Sequence, residues 1–294
     1  MTGMDARWGV LGVPSSAGAH TPGLEKGPAA LRAAGLVEAL PGGAVDLGDV
    51  PGFRWRPDPG RPTAKHAAVV ARVAADTAAA TAEILASART PLVVGGDCSI
   101  TVGVVAGFPE PPGLLYVDGG PDLYTPATRV NGNLDAMGLA CLLRVPGHVP
   151  ELAAVGPPRP ASSVVSYGHC LPVGDHERGL LDELGIPHVT AAEVRADPVG
   201  AALRARTTME SAAPRFVVHC DVDVLSFNDT PLADVPDSGD APAGLLLTEL
   251  TASLSIFTAS PRFAGLVLTE VNPDHAPDPT ALTEFATRFA AALG

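Results

Sequence analysis

The sequence predicts an α/β fold: a mostly parallel sheet with helices on both faces. Three observations point there. Short apolar runs alternate with longer amphipathic, alanine-rich segments from one end of the chain to the other. The 294 residues are 46% hydrophobic but only 4% aromatic, enough to bury a large aliphatic core. Acidic residues gather at the ends of the apolar runs, where the strands of such a sheet present their ligand site.

Each element follows from its stretch of sequence. Apolar runs at Trp8–Val13, Pro91–Val94, Gly113–Val117, Ser162–Tyr167, Pro187–Thr190, Arg215–Val222 and Phe263–Thr269 read as strands. Between them, amphipathic segments at Pro28–Leu40, Thr63–Ser87, Ile100–Ala106, Asp135–Leu143, Glu177–Leu184, Ala191–Thr207, Leu247–Ala259 and Thr280–Leu293 read as helices. The Pro- and Gly-rich stretch Pro51–Pro62 is a surface excursion, and Val224–Ala243 a long loop over the strand ends. Neither marks a boundary, so residues 1–294 are expected to form one domain.

A net charge of −13, with only 19 Lys and Arg along the chain, argues against a nucleic-acid or anionic-membrane partner and suits a cationic small molecule. The start MTGMDARWGVLGVP lacks a basic, then apolar leader, and no uncharged apolar run approaches ~18 residues, so a cytoplasmic protein is expected. Cys98, Cys141, Cys170 and Cys220 are few and far apart, as reduced thiols are.

The predicted strand ends carry the chemistry. Gly95-Gly96-Asp97-Cys98 follows LVV, Asp118 and Asp122 follow LLYV, Asp221 and Asp223 end RFVVHCDVD, and Glu270 ends GLVLTE. Asp221 and Asp223, two residues apart, face the same side of an extended chain, and both can reach one cation. Paired carboxylates repel unless a cation or donors offset them, so they form a hard-metal signal. A single such pair reads by default as caps of the following loop or helix.

Taken together and in order, the motifs resemble the ureohydrolase family, which includes arginase and agmatinase. The resemblance rests on GVPSSAGAHTPGLEKGPAALRAAGL (12–36), GGDCSITVG (95–103), VDGGPDLYTP (117–126), NGNLDAMGLA (131–140), DVDVLSFNDTP (221–231) and TEVNP (269–273). It implies a three-layer α/β/α sandwich around a roughly eight-stranded sheet, a homo-oligomer (trimer or hexamer), and two manganese ions that activate water against a guanidinium carbon. Carried over by position, it implies metal ligands at Asp118, Asp122, Asp221 and Asp223, with Cys98 where the first histidine of the pattern stands. Gly120 falls at the second histidine and carries no ligand. Asp122, Asp135 and Glu270 are the implied catalytic residues, Glu270 as acceptor of the guanidinium and Asp135 in place of a proton-shuttling histidine. Glu270, Asn131, Tyr124 and His20 are the implied substrate contacts.

The departures leave several readings open. Cys98 is either a soft ligand or an inert buried thiol. His219 shares the face of Asp221 and Asp223, yet a two-residue step of about 6.6–6.8 Å sets it deeper than the metal plane, as a core or supporting histidine. His169 stands at a predicted strand end within reach of the cleft, and Arg129 is the nearest base to the acids. The four aspartates suit one hard ion, manganese or magnesium, or none. Ser226 replaces an acid, and the segment Ser166–Gly174 (SYGHCLPVG) carries no acidic residue to hold an amino acid's ammonium group, so arginine is not the expected substrate. Three functions fit: a metal-dependent hydrolase of a C–N bond in a guanidino or amidino compound, a metal-free pseudoenzyme serving as partner or regulator, and a repurposed acid–base catalyst.

Overall fold

The computed structural model describes residues 6–170, 175–234 and 244–294. Eight strands, all parallel, form one sheet: β1 Trp8–Val13, β2 Ala44–Asp49, β3 Thr90–Gly95, β4 Gly113–Val117, β5 Val164–His169, β6 His188–Thr190, β7 Phe216–Asp221 and β8 Phe263–Thr269. Their spatial order is β2-β1-β3-β8-β7-β4-β5-β6. The seven strands read from sequence all form. The eighth, β2 (AVDLGD), has no apolar run because it is an exposed edge, paired only to β1 and clasped by Arg32, which bonds Asp46 at 2.8 Å and Asp49 at 2.5 Å.

Helices cover both faces. The first face carries α1 Gly27–Ala33 and α2 Leu36–Ala39, and the opposite face carries α3 Ala67–Ala86, α4 Ile100–Ala106, α5 Gly138–Leu143, α6 Pro150–Ala153 and α7 Asp175–Glu183. The later α8 Ala191–Ala196, α9 Pro198–Ala212, α10 Leu247–Thr258 and α11 Pro279–Ala291 return to the first face. The sheet thus separates two aliphatic cores: on β1, Trp8 and Val10 point into one, Leu11 and Val13 into the other. At roughly 1.5–3 kcal/mol for each fully buried large apolar side chain, these layers dominate stability.

Three predicted helices are broken or reshaped, and a fourth, Thr63–Ser87, begins only at Ala67, after His66 turns left-handed at φ 52°. Pro28–Leu40 breaks where Gly35 turns left-handed at φ 86°, separating α1 from α2. Ala191–Thr207 breaks at Asp197, whose side chain caps α9 through the Gly200 amide, and Pro198 supplies that helix's first position. Asp135–Leu143 opens as a 3₁₀ turn over Asp135–Met137 before α5. The four-residue α6 was not read as a helix; it lies beyond the short periodic patterns that sequence can show. Residues 171–174 and 235–243, within the SYGHCLPVG segment and the long loop after Val224, lie outside the described residues. Among the described residues, no helix is long and apolar enough to cross a membrane.

Candidate active site

Four neighbouring strands at the middle of the sheet, β3, β8, β7 and β4, end on one rim. After β3 the chain turns through Gly95-Gly96-Asp97-Cys98. Gly96 is required there, since a Cβ would lie 2.0 Å from the Ser15 carbonyl oxygen. Buried Asp97 accepts from the Gly18 amide (2.9 Å) and the Ser99 amide (3.2 Å), tying the loop that bears His20 to the turn. The turn aims Cys98 inward: its thiol donates to Asp221 Oδ2 at 2.7 Å and lies 3.3 Å from Thr269 Oγ1, and its amide donates to Glu270 Oε1 at 3.2 Å.

The loop after β4 holds the next acids. Asp118 Oδ1 accepts from the Gly120 amide (2.7 Å), and Asp122 Oδ2 accepts from the Tyr116 hydroxyl (2.5 Å). After β7, Asp221 Oδ1 accepts from the Asp223 amide (2.7 Å) and Asp223 Oδ1 from the Gly119 amide (2.8 Å). Strand alternation therefore does not relate Asp221 and Asp223: the strand ends at Asp221, and a 3₁₀ turn over Val222–Val224 carries Asp223. The capping reading of this pair holds; both acids border the cavity, and of the two only Asp221 belongs to the close donor group around Cys98.

Two site residues occupy left-handed backbone, Asp122 at φ 50° and Glu270 at φ 64°. Non-glycine residues there cost on the order of 1–3 kcal/mol, a strain that surrounding structure must offset.

His219 is fully buried on β7, beside Tyr116 on β4, with the rings stacked at 4.0 Å and 12°. Its Nδ1 lies 2.7 Å from Thr101 Oγ1 on α4, and its Nε2 lies 3.2 Å from Asp118 Oδ2. His219 is thus buried below the strand ends, as its spacing suggests, and its imidazole extends along the strand axis far enough to support Asp118 at the exit of β4. Nε2, Cys98 Sγ and one oxygen each of Asp118 and Asp221 lie within 4.8 Å of one another. His169, in contrast, sits half-buried on β5 against His188, 5.5 Å between ring centres, and does not line the cleft.

Every predicted site residue borders one cavity of about 350 Å³: His20, Cys98, Asp118, Asp122, Tyr124, Asn131, Asp135, Asp221, Asp223 and Glu270. Arg129 joins them, stacked 5.0 Å over the Tyr124 ring. Sequence reading missed Glu177, Asp234, Lys65 and Asn133, which complete the wall. Glu177 accepts from the Leu123 amide at 3.0 Å, and Asp234 accepts from Asn272 Nδ2 at 3.0 Å while its other oxygen has no hydrogen-bond partner.

Charge crowding governs the site. Burial, and then mutual repulsion, hold Asp118, Asp221 and Glu270 well above the usual carboxylate range. Asp122 is also held well above it by burial, against the opposing Tyr116 bond. Burial raises Asp135 to about 7 against the pull of Arg129, and Glu177 to about 7. Burial also pushes the Cys98 thiol well up, with Asp221 and Glu270 adding to it, and lowers His219 to about 3, so its imidazole is neutral. A buried acid cluster of this kind favours any cation that enters.

Fold and site together define an α/β protein whose parallel sheet gathers a carboxylate-rich, thiol-bearing pocket at its carboxyl rim. The profile described as "Arginase family" matches residues 6–293, and the chain belongs to that family, whose hydrolase fold it carries. It is 29% identical to arginase-1 of Homo sapiens over 94% of this chain and 88% of that one, and 30% identical to arginase-1 of Sus scrofa over the same shares. The arginase structure from Bacillus caldovelox superposes with a TM-score of 0.88 at 27% identity, covering 99% of this chain and 98% of that one.

The residues present do not fit the manganese pair that the resemblance implies. Gly120 has no side-chain donor, and Asp223 lies outside the close donor group of Cys98, Asp118, His219 and Asp221. A single ion fits: the donor atoms gathered around Cys98 and Asp221 are mutually close, buried and of mixed sulfur, nitrogen and oxygen character.

Proposed function

We propose that this protein hydrolyses a C–N bond of a cationic guanidino or amidino small molecule, using one divalent ion at the rim. The observation that carries this reading is the convergence of Cys98, Asp118, Asp221 and Glu270 from four adjacent strands on a small, acid-lined cavity. Its volume of about 350 Å³ lies at the small end of ligand pockets, which suits a small substrate.

Cys98, Asp118 and Asp221 would hold the ion. When bound, it supplies the Lewis acidity that brings the pKa of water toward neutrality. Glu270, fixed by the Cys98 amide and by its own amide's 2.9 Å bond to the Gly96 carbonyl, receives the guanidinium. Asp122 is oriented by Tyr116 and the Asp118 loop. Asp135, near 7, is poised to hand its carboxyl proton to the departing nitrogen as the C–N bond breaks. Tyr124, Asn131 and His20 border the mouth, where they orient the remainder of the substrate. Arginine stays outside the proposal, since Ser166–Gly174 is without an acidic residue. The same reading carries the family expectation of a trimer or hexamer, which sedimentation measures.

The bare Gly120 favours a second reading, a metal-free protein retained as a partner or regulator. One experiment separates the two. Protein purified without chelator is dialysed against manganese, with zinc in parallel, beside an Asp221→Ala/Asp223→Ala control, and its metal content is measured before guanidino compounds are screened for urea or amine release. About one ion retained by the parent alone, with turnover, supports the hydrolase. No retained ion and no turnover supports the metal-free protein.

A further inference from the structure

The imidazole absent at Gly120 has a counterpart on the neighbouring strand. His219 stands beside Tyr116 in the β4–β7 register, and its Nε2 reaches the carboxylate of Asp118, the acid two residues before Gly120. We propose that this chain holds one thiophilic divalent ion of the zinc class on Cys98 Sγ, His219 Nε2, Asp118 and Asp221, rather than the manganese pair that the family resemblance implies. This inference rests on the pocket being a metal centre and does not require hydrolysis.

Three features carry it. The four donor atoms come from the exits of β3 and β4 and from two positions of β7, and all lie within 4.8 Å of one another among buried residues. A tetrahedron with zinc–ligand bonds of about 2.0–2.3 Å has edges of roughly 3.3–3.8 Å, within that spread. Second, the donor set is chemically selective. Manganese and magnesium favour oxygen donors, whereas a thiolate beside an imidazole favours zinc and its softer neighbours. Cys98, Asp118 and Asp221 as anions bring three negative charges to the place where the ion would sit, and a divalent ion offsets most of them.

Third, His219 is held as metal-bound histidines are held. Nδ1 pairs with Thr101 Oγ1 at 2.7 Å and the ring is clamped against Tyr116, so Nε2 is aimed at the Asp118 oxygen; in the tautomer that carries its proton on Nδ1, the Nε2 lone pair is the one presented to an ion. A proton joins Nε2 to Asp118 at 3.2 Å and another joins Cys98 to Asp221 at 2.7 Å in the ion-free protein, and one cation would replace both. Thr101 is thereby a positioning residue. Four protein donors complete a tetrahedron, so water enters this centre only as a fifth ligand.

The test uses the full chain, stripped by chelator and titrated with cobalt(II), a spectroscopic stand-in for zinc. The expected result is a thiolate-to-cobalt charge-transfer band in the near ultraviolet that saturates at about one equivalent, is bleached by added zinc and survives excess manganese. Cys98→Ser abolishes the band. Thr101→Val weakens binding by about 10–100-fold, the usual effect of losing an outer partner of a ligating histidine, and His219→Asn weakens it further. Circular dichroism of the stripped variants reports whether each still folds, and the parent's spectrum and metal competition decide the matter without any variant. Cobalt bound without the band, displacement by manganese, two equivalents bound, or no binding each overturns the proposal. A zinc-loaded protein that turns over no guanidino compound leaves this centre standing and removes the hydrolase reading. Turnover by manganese-loaded Cys98→Ser does the reverse.

Discussion

The two halves of the rim are built differently. On the β3–β7 half, Cys98, His219 and Asp221 form a continuous set of donors, with Thr101, Thr269 and Tyr116 packed behind them. On the β4-loop half, Asp118 and Asp122 persist, but Gly120 offers only its amide and Asp223 is turned to the Gly119 amide. The half centred on β7 departs from the family pattern in donor chemistry yet still carries donors, Cys98 from the turn after β3 and His219 and Asp221 from β7. The half on the β4 loop has a glycine, Gly120, where the family pattern has an imidazole. A strand neighbour can replace a ligand because register fixes where its side chain goes, whereas a loop has no such neighbour at hand.

Removing the acid that the strand half shares with any bound ion should have the largest effect. Asp221→Asn is expected to eliminate retained metal and to lower turnover by well over the ~10–100-fold associated with outer partners, as elemental analysis and urea release would record. An unchanged metal content would place the ion elsewhere. Next in size, Gly120→His should restore the loop half. A Cβ at Gly120 meets only Asp118 Oδ1, at 3.8 Å, and the residue has no left-handed backbone to forbid a side chain. Manganese content is expected to rise toward two ions per chain; no rise would mean that more than one imidazole separates the halves.

A pH series should sharpen the comparison further. Asp135 and Glu177 are raised from 3.8 and 4.5 to about 7, so the folded state binds protons more tightly than the unfolded chain. Their contribution is therefore fully present below about 4 and is lost as pH rises toward 7. Melting temperature of the metal-free protein should fall over that window, and a bound ion should oppose the fall. A melting temperature that rises from pH 5 to 7 would contradict the charge crowding. The smallest expected effect belongs to Tyr116→Phe. Losing the hydroxyl donated to Asp122 should cost about 1–3 kcal/mol by denaturant titration, with metal content preserved because Asp122 stands apart from the strand-built donor set.

Much of the fold was readable because buried parallel strands such as Leu114–Val117 and Phe216–Cys220 announce themselves as apolar runs, and acids at their ends announce the rim. β2 was invisible for the opposite reason: its residues face solvent and carry two aspartates for Arg32. The site's carboxylates were readable from local motifs. The depth of His219 was readable from strand spacing, but its reach was not: spacing gives the position of a Cα, while the imidazole extends to Asp118 on the adjoining strand. Glu177 and Asp234 were missed because they reach the cavity from a helix and a loop whose docking onto the rim is a tertiary fact with no local pattern.

The left-handed backbone at Asp122 and Glu270 has a consequence for anyone engineering the chain toward heat tolerance. Glycine adopts that conformation freely, yet at either position it would also remove a buried carboxylate that accepts from the Tyr116 hydroxyl or from the Cys98 amide. Relief of strain and loss of a buried bond oppose each other there, so the two twisted acids are poor targets for glycine scanning.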